Sequence, residues 1–210
     1  MAGVAAVTAF ATTAIGLDRL ALWQVVRACV ADFKLTGAPF PCLEVDLSGG
    51  EERVGIEDPF LQLNGAPNYF NAAWRARSFL SGVDGRAPKR DEIALVANSA
   101  VQRSQDQLHI HVGCLRSPAR RMLAAAAPNV PIGKWVRIGA VVPHTMFWGM
   151  RITATDLSDI EPLRLAADAI AGKTMRRGDL TIAASRACRR RRPIPDSCFL
   201  RRGNGRAETC

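Results

Sequence analysis

Gln107-Leu108-His109-Ile110-His111-Val112-Gly113-Cys114 is the stretch on which the reading of the whole chain turns. From Gln107 to Leu115 polar and apolar residues alternate strictly, which predicts a β-strand. Strand side chains point to opposite faces in turn, so Leu108, Ile110, Val112 and Cys114 face a core. Gln107, His109 and His111 then face the other way, with successive members roughly 6.5 Å apart along the strand. A face written Gln-x-His-x-His suits neither bulk solvent nor core, but it suits the floor of a polar site. Two of the three His in the chain stand on it.

Neutral imidazole is a good nucleophile near pH 7 and can leave again. A phosphoric anhydride suits it: one His attacks phosphorus, a phosphoramidate forms, and water cleaves it. The neighbouring groups hold phosphate oxygens. Gly113 has no side chain to obstruct a ligand, and Ser104 can donate from its hydroxyl. Asn98, Arg103, His144 and Arg151 are further phosphate candidates. A zinc site would need a third ligand, and His144 is the sole remaining His, so no metal is expected. Structural histidines satisfied by backbone are the plain alternative. Cys114 faces away from the His set, which disfavours a Cys-His nucleophile.

Working outward, Leu20, Trp23, Val26, Val30 and Phe33 recur at helical spacing and predict a helix over 18–35, ended by Gly37 and Pro39. A second helix is expected from Asn68 to Leu80, burying Tyr69, Phe70, Ala73, Trp74 and Leu80. Ile93–Ala97 reads as an apolar strand. Ser117-Pro118 opens a short Ala-rich helix, with Ser as N-cap and Pro at N1. Two strands follow over 135–142 and 146–152, joined through Pro143-His144. Ser158 to Glu161 fits a capping box for a helix to Ala171. A last strand covers 179–184. Helices and strands mix without regular βαβ alternation, which predicts α+β with helices on an antiparallel sheet.

Composition bounds the rest. At 210 residues, 48% apolar and 22% charged, the chain is neither disordered nor coiled-coil. Its net charge of +9 is uneven: residues 186–210 hold eight Arg against Asp196 and Glu208, a net of +6, leaving +3 for everything else. A nucleic-acid reading therefore applies to that tail alone, which carries one aromatic, Phe199, and no matching basic body. Nucleic acid is not expected as a partner. The division expected is an apolar signal- or anchor-like segment at 1–17, a folded domain at 18–184, and a disordered Arg/Cys-rich tail at 185–210. Residues 1–17 carry no charged side chain, which favours export or membrane anchoring. The six Cys fit either reduced thiols in a cytosolic protein or a Cys29–Cys42 bridge in an exported one.

The His strand resembles the histidine-triad signature, His-φ-His-φ-His-φ-φ, of nucleotide hydrolases and transferases. The wider context resembles one branch of that HIT-like superfamily, CDP-diacylglycerol pyrophosphatase. The stretches that carry it are Lys34-Leu35-Thr36-Gly37 through Pro41-Cys42-Leu43-Glu44-Val45, Pro67-Asn68-Tyr69-Phe70 through Ala73-Trp74-Arg75-Ala76-Arg77, Asn98-Ser99, and Cys114-Leu115-Arg116. The resemblance spans residues 18 to 184. It implies a HIT-like antiparallel sheet with flanking helices in a single domain. It also implies hydrolysis of CDP-diacylglycerol to CMP and phosphatidate through a cytidylyl-His109 intermediate, without cofactor. By position, His109 is the nucleophile. His111 binds phosphate and assists the leaving group, and Ser104 matches a phosphate-binding Ser. The family is attached to the bacterial inner membrane, so a membrane surface is the expected partner and the periplasm the expected compartment.

Three departures stand against the family pattern. Gln107 occupies the place of the first His; it hydrogen-bonds but cannot carry charge. The stretch between Leu47 and Val54, before Gly55-Ile56-Glu57-Asp58-Pro59, is too short for the family's hairpin. The family's C-terminal strands are expected to be replaced by the Arg-rich tail. Two other readings stay open: an inactive, degraded copy, and a hydrolase of soluble nucleotide conjugates.

Overall fold

The computed structural model describes residues 18–42, 55–80, 86–139, 146–154, 157–170, 180–189 and 192–202, the last two stretches as paired backbone. The N-terminal segment 1–17, the shortened hairpin region and His144 lie outside them.

Helix α1 (Ala21–Thr36) forms where the spacing predicts. Trp23, Val26 and Val30 come to one side of it, because residues three and four apart share a helix face, and they are buried together with Cys29. Gly37 ends it in the left-handed region at φ 77°, its N–H donating to the Phe33 carbonyl. That conformation is open to glycine without a Cβ penalty. Cys29 is bonded to Cys42, which ties the helix to the chain that follows.

Helix α2 (Tyr69–Ala76) starts at Asn68, whose side chain accepts from the Asn71 N–H, and its amide donates to the carbonyls of Leu157 and Ile160. One residue thus caps a helix and holds a distant loop. Strands β1 (Ile93–Ala97) and β2 (His111–Cys114) are followed by α3 (Ser117–Ala126), β3 (Val136–Gly139), β4 (Met146–Arg151), α4 (Pro162–Ile170), β5 (Leu180–Arg189) and β6 (Arg192–Arg202). The six strands make one sheet in the order β2-β1-β5-β6-β4-β3, each neighbouring pair antiparallel. Phe70, Ala73 and Trp74 of α2, Leu163 and Ala166 of α4, Ile93, Leu95 and Ala97 of β1, and Met150 of β4 belong to one buried cluster. Helices on an antiparallel sheet are the α+β arrangement that the mixed pattern predicts.

Several local expectations are corrected. The predicted strand over 107–115 is shortened to His111–Cys114. Val96 pairs with His111, and β1 ends one residue later at Ala97, so residues 107–110 have no ladder to join. The chain leaves β1 through a turn in which the N–H groups of Gln102 and Arg103 both donate to the Ser99 carbonyl. The Ala-rich helix has Arg116, not Ser117, as its N-cap. Helix α4 begins at Pro162 rather than after Ser158, since proline fits the first helical turn, where its missing N–H is not needed. The tail, expected to be disordered from 185, instead continues β5 to Arg189 and supplies β6 beside it. Ladder hydrogen bonds come from the backbone, so an Arg-rich stretch without apolar period can still pair.

Candidate active site

β1 positions the site through its register. Leu95, fully buried, lies opposite Val112, and Val96 lies opposite His111. The pleat therefore sends Val112 toward the core and His111 away from it, as alternation requires. Leu108, Ile110 and Val112 pack against the core cluster. His109 and His111 meet edge to face, with ring centroids 5.1 Å apart and planes at 80°. The predicted pair is brought together even though the chain at His109 is no longer strand.

Hydrogen bonds fix which nitrogens are free. His109 Nδ1 lies 2.7 Å from the Gln107 carbonyl oxygen. A carbonyl can only accept, so Nδ1 carries the proton and Nε2 keeps its lone pair. His111 Nε2 lies 3.3 Å from Asn98 Nδ2, an amide nitrogen that can only donate, so this Nε2 accepts and Nδ1 holds the proton. Burial lowers the pKa of both rings below the ordinary 6.5, because a half-buried imidazolium loses hydration. The hydrogen bond to Gln107 pulls His109 back up, and the positive charge of Arg103 pushes it down again. His111 is lowered further by His109. Near pH 7 both rings are neutral.

Beside this pair, the Gly113 position of β2 leaves room among the described residues. A Cβ placed on Gly113, opposite Ala94, would meet nothing within 4 Å. Gln107 is 7% exposed, and its Oε1 is buried without a hydrogen-bond partner, as is Oδ1 of Asn98. Two acceptors beside two imidazoles are thus left unpaired among the described residues, and buried polar atoms in a native fold are ordinarily hydrogen-bonded.

The remaining candidates fall at different distances. Ser104 is exposed, on the loop that precedes the His pair. Arg103 does not project into open space: Nη1 donates to Glu57 Oε2 at 2.8 Å, and Nη2 lies 2.7 Å from Oε1. Arg151 shares the cross-strand row that runs from Gly113 through Ala94, Ser185 and Ser197, but four strand spacings, roughly 19 Å, separate its backbone from that of Gly113. It is not part of the His cluster. Among the described residues no three His, Cys, Asp or Glu side chains converge as metal ligands do.

Sequence reasoning missed the second layer. Asp106 pairs with Arg19, and its N–H donates to the Arg19 carbonyl at 2.9 Å. Gln105 accepts from the Leu22 N–H at 2.9 Å and donates to the Asp18 carbonyl at 3.1 Å. The start of α1 is therefore stapled to the loop carrying Arg103 and Ser104. No local pattern announces a contact between residues more than eighty positions apart.

Comparison with known proteins gives the family. A family model described as CDP-diacylglycerol pyrophosphatase matches residues 50–193. The match contains Asn98, Arg103, Gln107, His109 and His111, and it continues past Ala184 into the Arg-rich stretch. A protein named CDP-diacylglycerol pyrophosphatase from Yersinia pestis is 33% identical over 183 residues, covering 78% of this chain and 70% of its own length. A family model matched over most of the chain, with a relative 33% identical over most of both lengths, places the chain in the CDP-diacylglycerol pyrophosphatase family.

Proposed function

We propose that this protein hydrolyses the pyrophosphate bond of CDP-diacylglycerol, giving CMP and phosphatidate, with His109 as nucleophile on a HIT-like sheet. The observation that carries the reading is the hydrogen bond from His109 Nδ1 to the Gln107 carbonyl, which leaves Nε2 as the lone-pair nitrogen. Nε2 attacks the phosphorus of the CMP half, and the bond from that phosphorus to the bridging oxygen breaks. Phosphatidate leaves with the bond's electrons. Water then attacks the cytidylyl-imidazole, the P–N bond breaks, and CMP departs while the water's proton passes to solvent. His111, with Nε2 occupied by Asn98, offers Nδ1–H to a phosphate oxygen. Gln107, Ser104 and Asn98 complete the phosphate site. Because Arg103 is engaged with Glu57, it acts from behind rather than by touching phosphate.

The membrane surface is the proposed working place, at the inner membrane with the domain in the periplasm. Support comes from the uncharged run at 1–17 and from the Cys29–Cys42 bond, which suits an oxidising compartment. Among the described residues no helix is long and apolar enough to cross a membrane.

The test is turnover of CDP-diacylglycerol by the full chain, read as CMP released, beside CDP-alcohols and nucleoside polyphosphates as competitors. Rapid quenching should yield protein heavier by one cytidylyl group, absent in His109→Ala. A His109→Ala protein that kept its rate would end the mechanism. Faster turnover of soluble conjugates would replace the lipid as substrate.

A further inference from the structure

The segment Gly55-Ile56-Glu57, far from the His strand in sequence, grips the loop that leads into it. Arg103 is 11% exposed, and both of its terminal nitrogens are taken by Glu57, at 2.8 and 2.7 Å. A two-pronged pair of this kind fixes a guanidinium's plane as well as its position. The guanidinium lies over Gly55 so closely that a Cβ there would overlap Arg103 Nη1 and Glu57 Oε2. On its other side, Arg103 Nε stands 3.6 Å from Asp106 Oδ1. Asp106 precedes Gln107, whose carbonyl accepts from His109. A contiguous path thus runs from Glu57 through Arg103 and Asp106 to the peptide that sets the His109 tautomer.

We propose that Glu57 is a positioning residue for the nucleophile: it clamps Arg103 over the bare Gly55, and so fixes both the Gln107 carbonyl under His109 and a cation beside that ring. This rests on His109 being the attacking group. It assigns Arg103 no contact with substrate, and it explains why a glycine precedes Glu57 by two residues. The charged and titratable groups facing His109 among the described residues are Arg103 from the preceding loop and His111 from β2, with Glu57 and Asp106 behind Arg103. Removing the cation therefore favours protonation of the ring.

The experiment follows the His109 imidazole by nitrogen-15 NMR across pH in the full chain, with steady-state kinetics on the same proteins. Arg103→Met and Gly55→Ala should each move the His109 midpoint upward and lower kcat by about tenfold, with KM within about twofold. Glu57→Gln should lower kcat alone, yet add nothing to Arg103→Met, because the two act as one unit. Arg103→Lys keeps the charge but not the fork; it should hold the midpoint while still losing kcat, and it carries the comparison if Arg103→Met does not melt cooperatively. An unmoved midpoint in Arg103→Met, a rise in KM at constant kcat, or multiplying effects of Glu57 and Arg103 would each overturn the proposal. The titration needs no substrate, so a protein that leaves CDP-diacylglycerol intact while showing these shifts would sink the proposed activity and not this assignment.

Discussion

The ring of His109 is oriented by a backbone atom, the carbonyl oxygen of Gln107 at 2.7 Å from Nδ1. The Gln107 side chain takes no part in that bond, and its buried Oε1 has no hydrogen-bond partner among the described residues. Gln107→Leu removes that unsatisfied acceptor while leaving the carbonyl in place. It should stabilise the fold by about 1 kcal/mol, since an unpaired buried polar group costs that order. The same change should lower kcat/KM by about tenfold or more through the lost phosphate contact. Urea midpoints and kinetics on one preparation check both halves; loss of stability would show that Gln107 is a packing residue.

Asn98 donates to His111 and otherwise leaves its Oδ1 unpaired. Asn98→Ala should therefore cost little stability, about 0.5–1.5 kcal/mol for one hydrogen bond. It frees His111 to change tautomer, and kcat should fall about tenfold or more. A melting curve beside a rate measurement distinguishes this from a folding defect.

Acid should weaken the protein through both imidazoles. Each has a folded pKa lowered from the ordinary 6.5, chiefly by burial. The unfolded chain then binds more protons than the native one as pH falls through and below 6.5, so stability rises with pH. The contribution is complete above that value and fades below it. Urea midpoints at pH 7.5 and 5.5 should differ, and the difference should shrink in His109→Gln combined with His111→Gln. An equal slope in that double variant would place the acid sensitivity elsewhere.

The Cys29–Cys42 bond closes a loop of thirteen residues in sequence separation. Cross-links over loops of this size contribute about 2–4 kcal/mol. Reduction, or Cys29→Ser with Cys42→Ser, should lower stability by that amount, as measured by chemical denaturation. Turnover per folded molecule should remain close to that of the parent, because the bond joins the middle of α1, about two turns beyond the residues stapled to the 103–106 loop, to the chain after the helix.

What the sequence made legible was what is local. The spacing of Trp23, Val26 and Val30 marked α1, Ile93–Ala97 marked β1, and the alternation around His109 put both imidazoles on one side. What stayed hidden was set at a distance. The length of β2 depends on where β1 ends, ten residues before Gln107, and not on any propensity in Gln107 or Leu108 themselves. Arg103 reads as a phosphate candidate until Glu57 and Gly55 are seen around it. Strand β6 is masked by its own Arg residues, since its pairing is written in main-chain atoms that every residue shares.

Strand β2 is the outermost strand of the sheet among the described residues, with β1 on its one paired side. Among the described residues the two imidazoles consequently stand at the edge of the sheet, and in the proposed reaction they would work from there. A reactant much longer than the site can lie across such a rim, its head against the rings and its hydrocarbon chains overhanging, and no part of the sheet has to part to admit it.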